Sequence, residues 1–334
     1  MRPNRDAMYW STEGDRVRCA LCPHRCLIAE GKAGICTVRA NQGGKLVPLT
    51  YGRVGSVHLD PIEKKPLYHF HPGKSILSLG SWGCNLSCDF CQNWQISMDE
   101  APTREMSSDE AVALAAREKS RGENIGIAFT YNEPLVWFEY ILDTAKLGHE
   151  HGLVNAVVTN GEIEEAPLQE LLPHLDALNV DVKAMADEFY RGICSGPSEP
   201  PRRTVELAYA SGTHVEITNL LIPGENDSEG QIRELVDWIA GVSDRIPVHF
   251  SRYHPAYKMT NPPTPTETLA RAYAIAGEKL KYVYVGNAQM PGMTDTNCPE
   301  CKAPLVARDG MYEARCMVKA GNCPSCGIEA DIVT

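Results

Sequence analysis

The sequence predicts an α/β fold, a partial (β/α)6 barrel with an N-terminal Cys-rich segment before it and a C-terminal zinc-ribbon or rubredoxin-like tail after it. Three observations carry this. Short apolar runs rich in β-branched residues recur between about residues 75 and 288. Amphipathic helical stretches separate those runs, and alternating strands and helices imply a parallel sheet with right-handed crossovers. Apart from a lone Cys194, the cysteines outside the central motif crowd into the two ends of the chain. Three regions are therefore expected, at 1–73, 74–290 and 291–334.

The candidate strands are SILSLGS (75–81), NIGIAFTY (124–131), NAVVTNG (155–161), ALNVDVKA (177–184), HVEITNLLI (214–222) and PVHFSRY (247–253), with YVYVGNA (282–288) as one more. Runs that are apolar on both faces suit buried parallel strands. Ser107 and Glu110 form a capping box ahead of AVALAAREK. GPSEPP (196–201) and NPPTP (261–265) read as loops. In such barrels the active site is expected at the C-terminal ends of the strands.

Composition narrows the class. A chain of 334 residues with 43% hydrophobic content can bury a large core. A net charge of −11 disfavours a nucleic-acid partner, since phosphate binding needs a basic face. No apolar run approaches the roughly 18 residues of a membrane span, and the start MRPNRDAMYW lacks the apolar core of a signal peptide. A cytoplasmic protein is expected. Thirteen cysteines in a reducing compartment point to metal ligands rather than disulfides.

The central motif GCNLSCDFCQNW places Cys84, Cys88 and Cys91 after a candidate strand. Three thiolates so spaced can hold three corners of an iron–sulfur cube. A fourth cysteine is usual, and its absence leaves one iron open. Zinc, or simple burial, is the competing reading. At the N-terminus Cys19, Cys22, Cys26 and Cys36 suit zinc or a second closed cluster, and a structural metal is expected, with His24 as a spare ligand. In the tail, Cys298, Cys301, Cys323 and Cys326 form two CxxC knuckles that suit zinc or a rubredoxin-type iron. The tail is expected to be a satellite of the barrel, with Cys194 and Cys316 as buried small hydrophobes.

The central motif, with Phe90 before Cys91, resembles the signature of the radical S-adenosylmethionine (SAM) superfamily, and the likeness runs over about residues 75–288. It is most similar to the branch of the pyruvate formate-lyase activating enzymes. DPIEKKPLYHFHPG (60–73) followed by the motif resembles the radical SAM enzymes of the AmmeMemoRadiSam system, which occur beside a Memo-like protein and a protein of the AMMECR class. The resemblance implies a [4Fe–4S] cluster and SAM, cleaved reductively to a 5′-deoxyadenosyl radical. It implies that Phe90 packs near the adenine. In TYNEP (130–134), where the family has Gly-Gly before Glu-Pro, Asn132 and Glu133 are the implied SAM contacts. The same turn can be read simply as a helix start with Pro134 at its first position. Thr159 and Asn160, Asp181 and Lys183, Glu216, Thr218 and Asn219, and His254 complete the implied SAM site, with an Asp181–Lys183 salt bridge as the plainer reading of that pair.

The expected reaction is hydrogen abstraction from a small molecule or peptide, with electrons from a flavodoxin or ferredoxin and a Memo-like protein as partner. An activase that installs a glycyl radical on another enzyme is the alternative. A non-catalytic metal-binding module is the third reading.

Overall fold

The computed structural model describes residues 5–310 and 312–334. Residues 1–4, at the start of the expected N-terminal segment, and Met311, inside the expected tail, lie outside the described residues.

Eight strands form one sheet whose spatial order follows the chain. They are β1 (Ser56–Pro61), β2 (Ser75–Gly80), β3 (Gly126–Phe129), β4 (Val154–Thr159), β5 (Ala177–Asp181), β6 (His214–Leu221), β7 (Val248–Arg252) and β8 (Val283–Gly286). From β2 to β8 all neighbours pair in parallel. Helices α1 (Ser108–Ser120), α2 (Phe138–Glu150), α3 (Glu165–Leu171), α4 (Glu199–Ala210), α5 (Glu229–Val242) and α6 (Thr266–Gly277) fill the six crossovers. Six β/α units followed by a closing strand are thus present among the described residues, and the mixed α/β fold with a parallel sheet is as expected. The Ser107–Glu110 capping box starts α1.

One strand was not expected. β1 pairs antiparallel with β2, Ser56 opposite Gly80 and Pro61 opposite Ser75, and so caps the sheet edge. The chain then turns inward. Ile62, Leu67 and Phe70 pack on Ala128, Ala156 and Ala177. Those alanines stand side by side on β3, β4 and β5, and their small side chains leave room for segment 62–70 inside the curved sheet.

Polar groups fill the rest of that interior and bond to one another. Glu216 on β6 is fully buried. It accepts from the His69 N–H at 2.7 Å and pairs with His214 at 2.9 Å and His249 at 2.6 Å. Burial alone would raise the Glu216 carboxyl, yet the two imidazoles hold it well below the usual carboxylate range.

The tail is not a loose satellite. Arg308, buried, donates to the Tyr68 carbonyl at 2.5 Å, to Thr296 Oγ1 at 2.9 Å, and faces Glu63 at 3.7 Å. Val333 pairs with His69 and His71 along the backbone. A buried cation shared between tail and barrel is not an interaction that a freely tethered appendage makes.

At the N-terminus, strands Trp10–Glu13, Arg16–Cys19 and Leu27–Ile28 form a small antiparallel sheet. A buried ion pair, Arg39 to Glu139 of α2 at 2.9 Å, fastens this region to the barrel. Among the described residues, no helix is long and apolar enough to cross a membrane.

Candidate functional site

The central motif follows β2 through Gly83, whose φ is +91°. A Cβ there would stand 2.4 Å from Val38 Cγ1 and 2.7 Å from the Cys36 carbonyl oxygen, so only glycine fits. The loop is then tied down from several sides. Asn85 Nδ2 donates to the Glu162 carbonyl at 2.6 Å. Backbone N–H groups of Ser87 and Asp89 donate to the carbonyls of Cys194 and Ile193, and those of Lys258 and Met259 donate to the Asp89 carbonyl. Cys84 Sγ accepts from Leu86 N–H at 3.3 Å and from Asn160 Nδ2 at 3.6 Å.

Cys84, Cys88 and Cys91 line one cavity of about 410 Å³ at the C-terminal ends of the strands. That volume lies in the range of small-molecule and cofactor sites. Phe90, Asn132, Glu133, Thr159, Asn160, Asp181, Lys183 and Thr218 line it too.

Glu133 is almost fully buried and accepts three bonds, from Leu135 N–H at 2.9 Å, Thr159 Oγ1 at 2.7 Å and Asn160 N–H at 2.8 Å. It caps the turn Pro134–Trp137 and clips it to the end of β4. Burial pushes its carboxyl up to about 7, against the pull of those donors. Lys183 Nζ pairs with Asp181 Oδ2 at 2.6 Å and lies 5.5 Å from the Phe90 ring centroid. Burial opposes its charge, but Asp181 keeps it protonated. Asp181 Oδ1 is buried and has no partner.

Three expected residues stand elsewhere. Glu216 sits deeper, in the imidazole network. Asn219 is buried and donates to the carbonyls of Val182 and Lys183 at 2.8 and 3.1 Å. His254 is exposed and outside the cavity lining. His24 is turned to the Asn85 carbonyl at 2.7 Å. Cys194 is fully buried, as expected, and its thiol lies against that of Cys88.

Sequence reasoning missed part of the wall. Lys64, Lys65, Tyr131, Ser251 and Asn287 also line the cavity. Asp60 gathers Lys65 at 2.7 Å, Lys64 at 3.1 Å and Tyr131 Oη at 2.5 Å. The quoted segment 60–73 holds most of this cluster, but nothing in its spacing tells that Asp60 reaches a tyrosine beyond the next strand.

The donor set fits the implied cofactors. Three thiols line one cavity, Asp181 with its buried, unpartnered Oδ1 stands in the same wall, and the protonated Lys183 amine lies beside it. In the tail, Cys298 and Cys326 Sγ are 3.7 Å apart and Cys301 and Cys323 Sγ 3.6 Å apart. Thiolates around one tetrahedral ion stand about 3.8 Å apart, given metal–sulfur bonds of about 2.3 Å.

The Radical SAM superfamily profile matches residues 81–239. An uncharacterised protein of Methanocaldococcus jannaschii is 42% identical over 339 residues, covering 98% of this chain and 99% of that one. The pyruvate formate-lyase-activating enzyme of Clostridium pasteurianum is 27% identical over 177 residues, covering 52% of this chain and 72% of its own. The crystal structure of Streptococcus suis SuiB bound to S-adenosylmethionine shares the fold, with a TM-score of 0.51 at 14% identity over 64% of this chain and 52% of SuiB. The members of the matched family are enzymes, and its domain implies a [4Fe–4S] cluster and SAM. The chain belongs to the radical SAM superfamily.

Proposed function

We propose that this protein cleaves SAM reductively, with Cys84, Cys88 and Cys91 holding three irons of the cluster and SAM lying in the cavity above them. When bound, cluster and SAM together supply a carbon-centred radical that abstracts hydrogen from a substrate. One observation carries the reading: three thiols and a pair of opposite charges, Lys183 and Asp181, line a single cavity. The amino-acid part of SAM is zwitterionic, and this pair offers it a cation and an anion. Phe90 offers a flat apolar face. Glu133, its oxygens already holding three donors, positions Thr159 and Asn160. Asn160 in turn reaches Cys84 Sγ.

The substrate we propose is a small molecule or peptide. Lys64, Lys65, Ser251 and Asn287 support this, since they line the cavity yet lie outside the span 81–239 that the family shares. Activation of a glycyl-radical enzyme is the second reading, favoured by the activating enzymes among the relatives, of benzylsuccinate synthase and 4-hydroxyphenylacetate decarboxylase as well as pyruvate formate-lyase. A flavodoxin or ferredoxin in a reducing cytoplasm is the proposed donor. The resemblance of residues 60–73 supports a Memo-like partner. We also propose three units at 1–73, 74–290 and 291–334, with β1 of the first pairing into the sheet of the second.

The test is 5′-deoxyadenosine release by reduced, anaerobically reconstituted protein. Cys88→Ala should abolish it while the tail keeps its metal. Wild-type-like release from that variant would remove the assignment. A glycyl-radical signal raised on a partner enzyme would decide for the second reading.

A further inference from the structure

We propose that Cys19, Cys22, Cys26 and Cys36 hold a second [4Fe–4S] cluster, closed by four thiolates, and not a single zinc ion. The four thiols come from a stretch of 18 residues and line one small void. Leu21, Ile28 and Val136 supply its apolar wall.

The spacing of the sulfurs separates the two metals. Among the described residues, the tail cysteines are the group whose ligand atoms all lie within 4.8 Å of one another. Their pairs at 3.6 and 3.7 Å match one tetrahedral ion. The N-terminal four surround a void without being drawn together in that way. Thiolates of a cube each bind a different iron and so stand farther apart than thiolates sharing one ion.

Two further observations point to a bound anionic group. Arg39 lines the void and is 1% exposed, and its Nε has no partner. Its other nitrogens are spent on Glu139 and the Met8 carbonyl. A buried N–H left without an acceptor is costly, and a sulfur-rich dianion held by the four thiols would supply one. The backbone N–H of Ile35 points to Cys26 Sγ at 3.5 Å, the kind of N–H to sulfur bond that tunes such clusters. Gly34 lets that sulfur approach, since a Cβ on it would stand 3.3 Å from Cys26 Sγ.

Cys36 borders the central site, because its carbonyl packs on Gly83, the neighbour of Cys84. The proposal nevertheless stands apart from SAM cleavage, and the experiment removes the central motif first. The full-length chain carrying Cys84→Ala, Cys88→Ala and Cys91→Ala is reconstituted anaerobically with iron and sulfide, and its fold is checked by circular dichroism. It should retain roughly four acid-labile sulfides per chain, as a four-iron cube requires. A rubredoxin-type iron in the tail contributes none. After reduction its paramagnetic signal should be unchanged by SAM, because no iron is left open. Adding Cys22→Ser and Cys36→Ser should remove the sulfide. Zinc without labile sulfide in the triple variant would overturn the proposal. So would a signal that shifts with SAM, or sulfide that survives the added serines.

Discussion

The barrel has two polar layers, and they differ in how completely they are satisfied. In the lower layer, Glu216, His69, His249, Tyr284, Thr296 and Arg308 bond to one another in a chain that runs from sheet to tail. At the upper rim, Asp181 Oδ1 and both oxygens of Glu162 are buried without a partner. Buried polar groups normally find partners, because leaving one unmade costs more than a bond gains. Folding thus closes the lower layer except at Arg308 Nε, which lies 3.7 Å from Glu63, whereas three carboxylate oxygens are left without a partner at the rim, where the cavity and the cysteine loop lie. The first layer should answer to stability measurements and the second to ligand.

The largest expected effect is in the lower layer. Glu216→Ala leaves His214, His249 and the His69 N–H facing an empty pocket. Breaking a buried ionic network by removing one member costs about 3–5 kcal/mol. Denaturant unfolding of the variant should show a loss of that order, with the 410 Å³ cavity and its thiols untouched. A loss under about 1 kcal/mol, in the range of surface ion pairs, would mean that the layer is less buried than its geometry indicates.

The same contrast explains what could be read from the sequence. The parallel strands were legible because runs such as ALNVDVKA are apolar on both faces, and the thiols were legible because their spacing is local. β1 was not, since SVHLDP is half exposed and its pairing with β2 is set by the partner strand. The roles along β6 were blurred for a geometric reason. Side chains alternate along a strand, so Glu216 and Thr218 share a face while Asn219 points the other way. Two residues also separate Glu216 from Thr218 by about 6–7 Å of depth. Thr218 therefore reaches the cavity and Glu216 the lower network. Arg308 is legible as a charge in a tail strand, but nothing local says that its partner Glu63 lies in the segment threaded through the barrel.

Glu162 tests the rim through pH. Its carboxyl is pushed up from 4.5 to about 8, first by burial and then by the nearby Glu133 and Cys88. The raised value means that the folded protein keeps the proton while the unfolded chain gives it up. The stability Glu162 contributes is full below about pH 4.5 and is lost as pH rises through about 8. Glu162→Gln mimics the protonated form at every pH. Its stability gain over wild type should be near zero at pH 4.5 and should grow by no more than about 1.4 kcal/mol per pH unit up to pH 8. Unfolding curves of the reconstituted proteins across that window measure the gap. A gap that stays flat would show that the carboxylate finds a partner.

The smallest effect on stability, and the sharpest on binding, is expected at Asp181. One oxygen pairs with Lys183, and the other lies buried in the cavity wall without a partner. Asp181→Asn keeps the shape and an acceptor for Lys183 but removes the charge. The Asp181 side chain is 34% exposed but that of Lys183 only 8%, so weakening the pair should cost about 1–3 kcal/mol of stability, still below the loss for Glu216→Ala. If the free oxygen serves a bound cation such as the SAM ammonium, its loss removes a charge-assisted bond. Such bonds are worth about 1.5–3 kcal/mol, so SAM affinity should fall roughly ten- to hundredfold. Equilibrium binding of SAM to the reconstituted variant, set beside its melting curve, separates the two quantities. A variant that binds SAM normally but unfolds as readily as Glu216→Ala would place Asp181 with the lower layer, and the unpaired oxygen would then be no mark of a ligand site.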